Sequence, residues 1–232
     1  MCRARLAGLG VIDSMCFSPQ ASFISAALTG VVGVIAVGRV KHPRELALAM
    51  TPLLFGAQQA LEGGLWLKLP TDPHGAAATA LTVAFLLFAQ VLWPVYAPLA
   101  AGLNETAPAR RRMMHMFILI GGGVAGYFLW RILSGPHQAV IADRCLVYNT
   151  GEVHPLFVGL AYMAATCLPL LLSSERTLVV LGVIVSVGAV VAYFFYWDAF
   201  LSVWCFFGAA ASVVILGHFE HVHWRGRKLV IA

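Results

Sequence analysis

The amino-acid sequence predicts an all-α polytopic membrane protein. About seven transmembrane helices form one bundle, with the N-terminus outside and the C-terminus cytoplasmic. Three observations carry this reading. The first is composition: 60% of the 232 residues are hydrophobic and 11% charged, with a mean hydropathy of +0.85. A soluble domain is about 45–50% apolar and about 25% charged. The second is that the apolar residues fall into runs of roughly 20, the length a helix needs to cross a bilayer. The third is that Lys and Arg collect at the ends of alternate runs. A soluble globular enzyme and a disordered chain are both excluded, the latter because disorder needs few apolar residues and much charge.

Taken in order, the apolar runs are about 20–40, 46–68, 78–101, 113–134, 155–173, 177–196 and 199–217. Lys41-His42-Pro43-Arg44 closes the first and Pro70-Thr71-Asp72-Pro73 the second. Arg110-Arg111-Arg112 opens the fourth, and Gly135-Pro136-His137 closes it. Ser173-Ser174-Glu175-Arg176 separates the fifth from the sixth, and Trp197-Asp198 joins the sixth tightly to the seventh. The longest connection, about 135–154, is the one place with room for a subdomain outside the bilayer. Residues 1–14 read as an N-terminal extension, 15–217 as the membrane domain and 218–232 as a basic, His-rich cytoplasmic tail.

One side collects Arg39, Lys41, Arg44, Arg110, Arg111, Arg112, Arg176, Arg225, Arg227 and Lys228; the other has Arg3, Arg5, Lys68 and Arg144. By the positive-inside rule the richer side is cytoplasmic. The same distribution explains the net charge of +5 without nucleic acid, because the basic residues flank apolar runs. The lipid bilayer is the expected partner. Small residues within the spans, such as Gly121-Gly122-Gly123, allow helices to approach closely and leave room for a homo-oligomer.

Charged groups at membrane depth cost at least ~2.5–3.5 kcal/mol on insertion scales, so they are functional candidates by default. In the second span Phe55, Gln59, Glu62 and Trp66 are spaced i, i+4, i+7, i+11 and share one helix face, with Gln58 one turn from Glu62. The third span carries Gln90, Trp93-Pro94 and Pro98, where proline frees a backbone carbonyl that must be met locally. Arg131 ends the fourth span, where it can snorkel to headgroups or pair with Glu62 or Asp198. Asp198, Ser202 and Cys205 are spaced i, i+4, i+7 in the seventh, a polar stripe entering from outside. Gln58, Gln59, Glu62, Gln90, Arg131, Asp198 and Ser202 are therefore the expected lining of an outward-facing polar pocket for a small solute, ion or proton. A purely structural set of helix-fixing hydrogen bonds is the competing reading.

Thiols and imidazoles give weaker signals. Five cysteines are too few and too scattered for a disulfide scaffold, though Cys16 and Cys145 both fall on the outer side and could be bonded there. Cys16 and Cys205, with His218 and His221 at i, i+3, are the candidate metal or thiol ligands. The histidines lack the i, i+4 pair of a metalloprotease helix. The last span has no lysine for a retinal Schiff base, which argues against a retinal pigment.

Met15-Cys16-Phe17-Ser18 with Ala21-Ser22, Pro52 to Gly56 followed by Gln59, Glu62-Gly63 and Trp66, Trp93-Pro94, and Ser202 to Phe207 together resemble an uncharacterised bacterial family. Its members are small multi-helix membrane proteins that typically begin Met-Cys-Phe-Ser. The resemblance runs from 15 to about 215 and implies a multi-pass protein of the bacterial inner membrane, with no activity to carry over. It also implies a start at the equivalent of Met15. Cys16 could then become N-terminal, its amine and thiolate serving as metal ligands or as base and nucleophile. Three functional classes follow: a carrier or binding protein built on the polar pocket, a membrane enzyme using Cys16 and Glu62, and an accessory subunit whose buried polar groups fix packing.

Overall fold

The structure is a computed structural model; it describes residues 18–231 other than 143 and 151–153, and for 221–231 it describes the backbone. Cys16, and with it the Cys16–Cys145 disulfide and the Cys16 metal site, lies outside the described residues, as does the side chain of His221.

Helix α1 (Pro19–Gly38) starts where Ser18 accepts a hydrogen bond from the Ala21 N–H at 3.2 Å, ahead of a proline that needs no amide partner. A 3-10 turn, Pro43–Glu45, leads into α2 (Leu46–Lys68). Next come α3 (Ala76–Leu86), a π turn (Leu87–Leu92) and α4 (Trp93–Asn104), which make one continuous rod from Ala76 to Asn104. Helix α5 spans Pro108–Ser134. After a hairpin come α6 (Leu156–Leu171), α7 (Arg176–Phe195), a 3-10 turn Trp197–Ala199, and α8 (Phe200–Ile231).

The expected runs thus become helices with small shifts of boundary. Five helical segments are long and apolar enough to cross a membrane: Pro19–Gly38, Ala76–Asn104, Pro108–Ser134, Arg176–Phe195 and Trp197–Glu220. The other two fall short for different reasons. Helix α2 has the length but carries Gln58, Gln59 and Glu62, while α6 has 16 residues, about 24 Å at 1.5 Å per residue. Helix α6 exposes Leu156, Phe157 and Leu160, as the five spans expose apolar residues of their own. Helix α2 buries much of its surface, including Leu48, Phe55, Leu65 and Trp66. By contrast the outward faces of the others expose Leu28, Val34, Leu119, Leu133, Val187 and Phe194. A bundle with apolar residues outside and its most polar helix inside is arranged for lipid, since lipid does not penalise apolar exposure.

The all-α expectation needs one correction. The long connection contains an antiparallel hairpin, β1 (Gln138–Ala142) with β2 (Cys145–Asn149), in register Val140 opposite Val147 and Ala142 opposite Cys145. The β-branched Val140, Ile141 and Val147 favour extended backbone. Arg144 takes φ of 61°, the left-handed conformation that a two-residue hairpin turn requires.

The π turn has a sequence cause. The Trp93 N–H reaches back five residues to the Phe88 carbonyl, which leaves the Ala89 carbonyl without its i+4 donor. An i+5 donor is missing as well, because residue 94 is proline. The Tyr162 hydroxyl, from α6, donates to Ala89 instead. Pro98 likewise frees the Pro94 carbonyl, and α5 meets that carbonyl with Gly121, where any Cβ would overlap it.

At one end of the bundle the basic connections meet. Arg39 Nε lies 3.1 Å from Glu220 Oε1, Asn104 Nδ2 donates to the Arg44 carbonyl at 3.3 Å, and Arg110 donates to the Leu172 carbonyl at 3.2 Å. Glu105 is the buried knot there. Its carboxylate accepts from the Ala107 N–H (3.0 Å), the Ser174 N–H (2.8 Å) and the Ser174 hydroxyl (2.7 Å), tying the α4–α5 connection to the α6–α7 connection. Burial opposes its ionisation, but these donors outweigh burial and hold its carboxyl below the ordinary 4.5. A lowered pKa means that the unfolded chain binds the proton more tightly than the folded one. The stabilisation is therefore present in full above 4.5 and is lost as pH falls through the lowered value. Thermal melts of the wild type and Glu105→Gln from pH 7 downward are expected to converge through that interval. Parallel curves would overturn the assignment.

Candidate functional site

The site grows from the most polar face of α2. Phe55, Gln59, Glu62 and Trp66 all point into the bundle, as their spacing requires, and Gln58 joins them. Gln58 and Gln59 are 0% and Glu62 2% exposed. Burial to this degree without partners would cost about 1–3 kcal/mol per group, more for a charge, so the partners define the site.

Gln58 is a bridge. Its Oε1 accepts from the Trp93 indole N–H at 2.7 Å, and its Nε2 contacts Cys205 Sγ at 2.9 Å. One side chain thereby links α2, α4 and α8. The Trp93 ring stacks on Phe55 with centroids 4.1 Å apart, so the indole is held on both its edge and its face. One turn along α2, Gln59 Nε2 donates to Glu62 Oε2 at 3.2 Å, and the Ser202 hydroxyl lies beside the same carboxyl group.

The hairpin closes this region. Ala139 and Leu146 pack with Leu65, Trp66, Leu69 and Phe85, and Tyr148 stacks on Phe85 with centroids 4.4 Å apart and planes 1° from parallel. The Tyr148 hydroxyl is buried, within electrostatic reach of Glu62 and Cys205. Three polar atoms in this region are buried without a hydrogen-bond partner among the described residues: Gln59 Oε1, Glu62 Oε1 and the Tyr148 hydroxyl. Two acceptors and a hydroxyl complement a small species that carries donor hydrogens or positive charge.

The expected lining residues divide. Gln58, Gln59, Glu62 and Ser202 come together, and Cys205 joins them through Gln58. Gln90 is buried in the π turn, where none of the described hydrogen bonds connects it to the others. Asp198 is exposed, because a 3-10 turn precedes α8 and breaks the i, i+4, i+7 phase that would have placed it beside Ser202. Arg131 is half-buried, with its guanidinium 6.0 Å from the Trp130 ring centroid, and its carbonyl faces His137 Nε2 at 3.2 Å. No described ion pair reaches Glu62, so the pairing of Arg131 with Glu62 is replaced by the neutral donors Gln59 and Ser202.

His218 sits at the opposite, basic end. Its Nδ1 faces Thr177 Oγ1 at 2.8 Å and Glu175 Oε1 at 3.6 Å, engaging one of its two ring nitrogens with α7 and its cap. Among the described residues no group of three or more His, Cys, Asp or Glu side chains is placed to hold a metal. Cys205 and His218 therefore belong to different parts of the molecule rather than to one ligand set.

The sequence reading missed Tyr148, and it saw Trp93 only as the neighbour of a kinking proline. The signal for Tyr148 was present in the β-branched and aromatic residues of 138–149. That for Trp93 was not, because the Gln58 contact crosses between helices.

No curated protein and no solved structure matches the chain. Residues 15–228 match DUF6629, a family of unknown function, and the chain belongs to that family.

Proposed function

We propose that the chain is a multi-pass protein of the bacterial inner membrane that binds, and passes, a small polar solute, ion or proton at Glu62. The observation that carries this reading is the buried, unpartnered trio of Glu62 Oε1, Gln59 Oε1 and the Tyr148 hydroxyl. A group fixed purely for packing would have its hydrogen bonds met by the protein, as Gln58 does on both its ends. In the orientation set by the basic residues, the hairpin end is the outer end and ligand enters beneath Tyr148.

Gln59 gives the site two settings. With Glu62 ionised, the amide N–H donates to the carboxylate, as it does here. With Glu62 protonated, the carboxyl group is itself the donor, and the Gln59 amide turns over to present its oxygen. Proton occupancy is thus coupled to the orientation of a neighbouring acceptor.

Glu62→Gln tests this. In proteoliposomes the variant is expected to keep the wild-type thermal stability within about 1 kcal/mol, the usual net value of one hydrogen bond, and to lose pH-dependent uptake. In the purified protein, the infrared carboxyl band assigned to Glu62 should disappear and take the site's pH response with it. A variant that melts much lower while binding and uptake are unchanged would leave Glu62 as a packing residue.

A further inference from the structure

A second space lies deeper in the bundle, on the other side of the Gln58 bridge from Glu62. It is a cavity of about 70 Å³. Five aromatic rings line it, those of Phe55, Trp93, Tyr96, Tyr162 and Trp204, and Ala100 and Leu181 are among the aliphatic residues that complete it.

The polar groups on these walls are already engaged by the protein. The Trp93 indole donates to Gln58, the Trp204 indole to the Val185 carbonyl, the Tyr96 hydroxyl to the Ala47 carbonyl and the Tyr162 hydroxyl to the Ala89 carbonyl. Thr51 and Thr166 donate to carbonyls one turn back in their own helices, Ala47 and Tyr162. Cys205 Sγ meets Gln58 Nε2. A water molecule needs two to four polar partners to be held in a cavity, and the one donor of this lining not committed elsewhere in the hydrogen bonds above is the weak S–H of Cys205, whose sulfur accepts from Gln58. An empty space, in turn, leaves the aromatic walls without contacts on one side and forgoes their dispersion energy. The hydrogen bonds also fix the indoles and phenols in place, so the walls cannot readily collapse inward.

We infer that this cavity is a binding site for a small nonpolar molecule, smaller than a benzene ring. The size limit follows from volume: a dry apolar cavity of ~150 Å³ accepts benzene or xenon, and this one is about half as large. Short alkanes and similar solutes fit the class, and they concentrate in the bilayer around the protein. The site is separate from the one at Glu62 and does not depend on it, because Gln58 stands between them.

Xenon is the probe. Hyperpolarised xenon NMR of the purified full-length chain in detergent is expected to show a saturable exchange signal beyond that of empty micelles. Ala100→Leu, which extends a side chain into the cavity, should abolish that signal, and Glu62→Gln should leave it intact. If Ala100→Leu does not fold, Leu181→Ala takes its place: it enlarges the cavity and should strengthen the xenon signal and admit benzene. A wild-type spectrum with the micelle contribution alone overturns the inference. So does a saturable signal indifferent to Ala100→Leu, or one indifferent to Leu181→Ala where that variant is the readout.

Discussion

Gly121→Ala is expected to destabilise the bundle by at least about 1–3 kcal/mol, the usual range for overpacking a tight interface, and Gly121→Leu to yield no folded protein. The reason lies in two prolines on the neighbouring helix. Pro98 has no N–H, so the Pro94 carbonyl loses its helical donor and faces outward toward α5. A Cβ on Gly121 would overlap that carbonyl, which is backbone and cannot swing aside. Nor can the helices separate freely. Residues 105–107 are all that joins them, and Gly102 lies against Met114 further along the same interface. The adjacent Gly122 and Gly123 provide the control, since a Cβ on either meets nothing within 4 Å. Alanine there should leave the melting temperature unchanged or raise it, glycine being a poor helix residue. Melts of the three alanine variants in one detergent decide the matter: equal losses at all three would overturn the Pro94 contact as the cause, because only Gly121 meets that carbonyl and helix propensity by itself favours alanine at every one of them.

The second large effect is expected at Gln58. Gln58→Leu removes the acceptor for the Trp93 indole and the contact to Cys205 in one step. The indole N–H is then buried without a partner, which costs about 1–3 kcal/mol. Trp93→Phe alone should also be costly, since it leaves Gln58 Oε1 unmet. The double variant Gln58→Leu/Trp93→Phe should lose clearly less than the sum of the two, because neither orphan remains. Additive losses would show that the two side chains are not coupled, and the bridge between α2 and α4 would have to be abandoned.

How far the sequence could be read depended on whether a feature was local. Glu62 and its neighbours were legible because one helix face is set by spacing along α2 alone. Ser202 and Cys205 were legible for the same reason on α8. Asp198 was misplaced because three residues of 3-10 helix intervene, and a change of helical period is invisible in a spacing count. For Tyr148 the strand character of 138–149 was legible, but its place beside the site was not. Its position depends on a hairpin pairing and on the stacking of that hairpin over Phe85, both non-local. The seven helical runs were found, yet length and polarity set α2 and α6 apart from the five that meet the spanning criteria. For α2 the polarity that weakens the transmembrane signal is the same polarity that makes the site.

The π turn at Leu87–Leu92 shifts the angular phase of the long rod between its two segments. A π turn is an α-helix with one residue too many, and each residue in a helix advances its faces by about 100°. The segment before the turn keeps Phe85 under Tyr148, while the segment after it aims Trp93 at Gln58. Each segment is indexed by its own contacts, and the extra residue absorbs the mismatch. A helix built in this way carries a fixed angular offset, pinned by the Tyr162 hydroxyl on the Ala89 carbonyl, so that Phe85 and Trp93 both meet their partners at once.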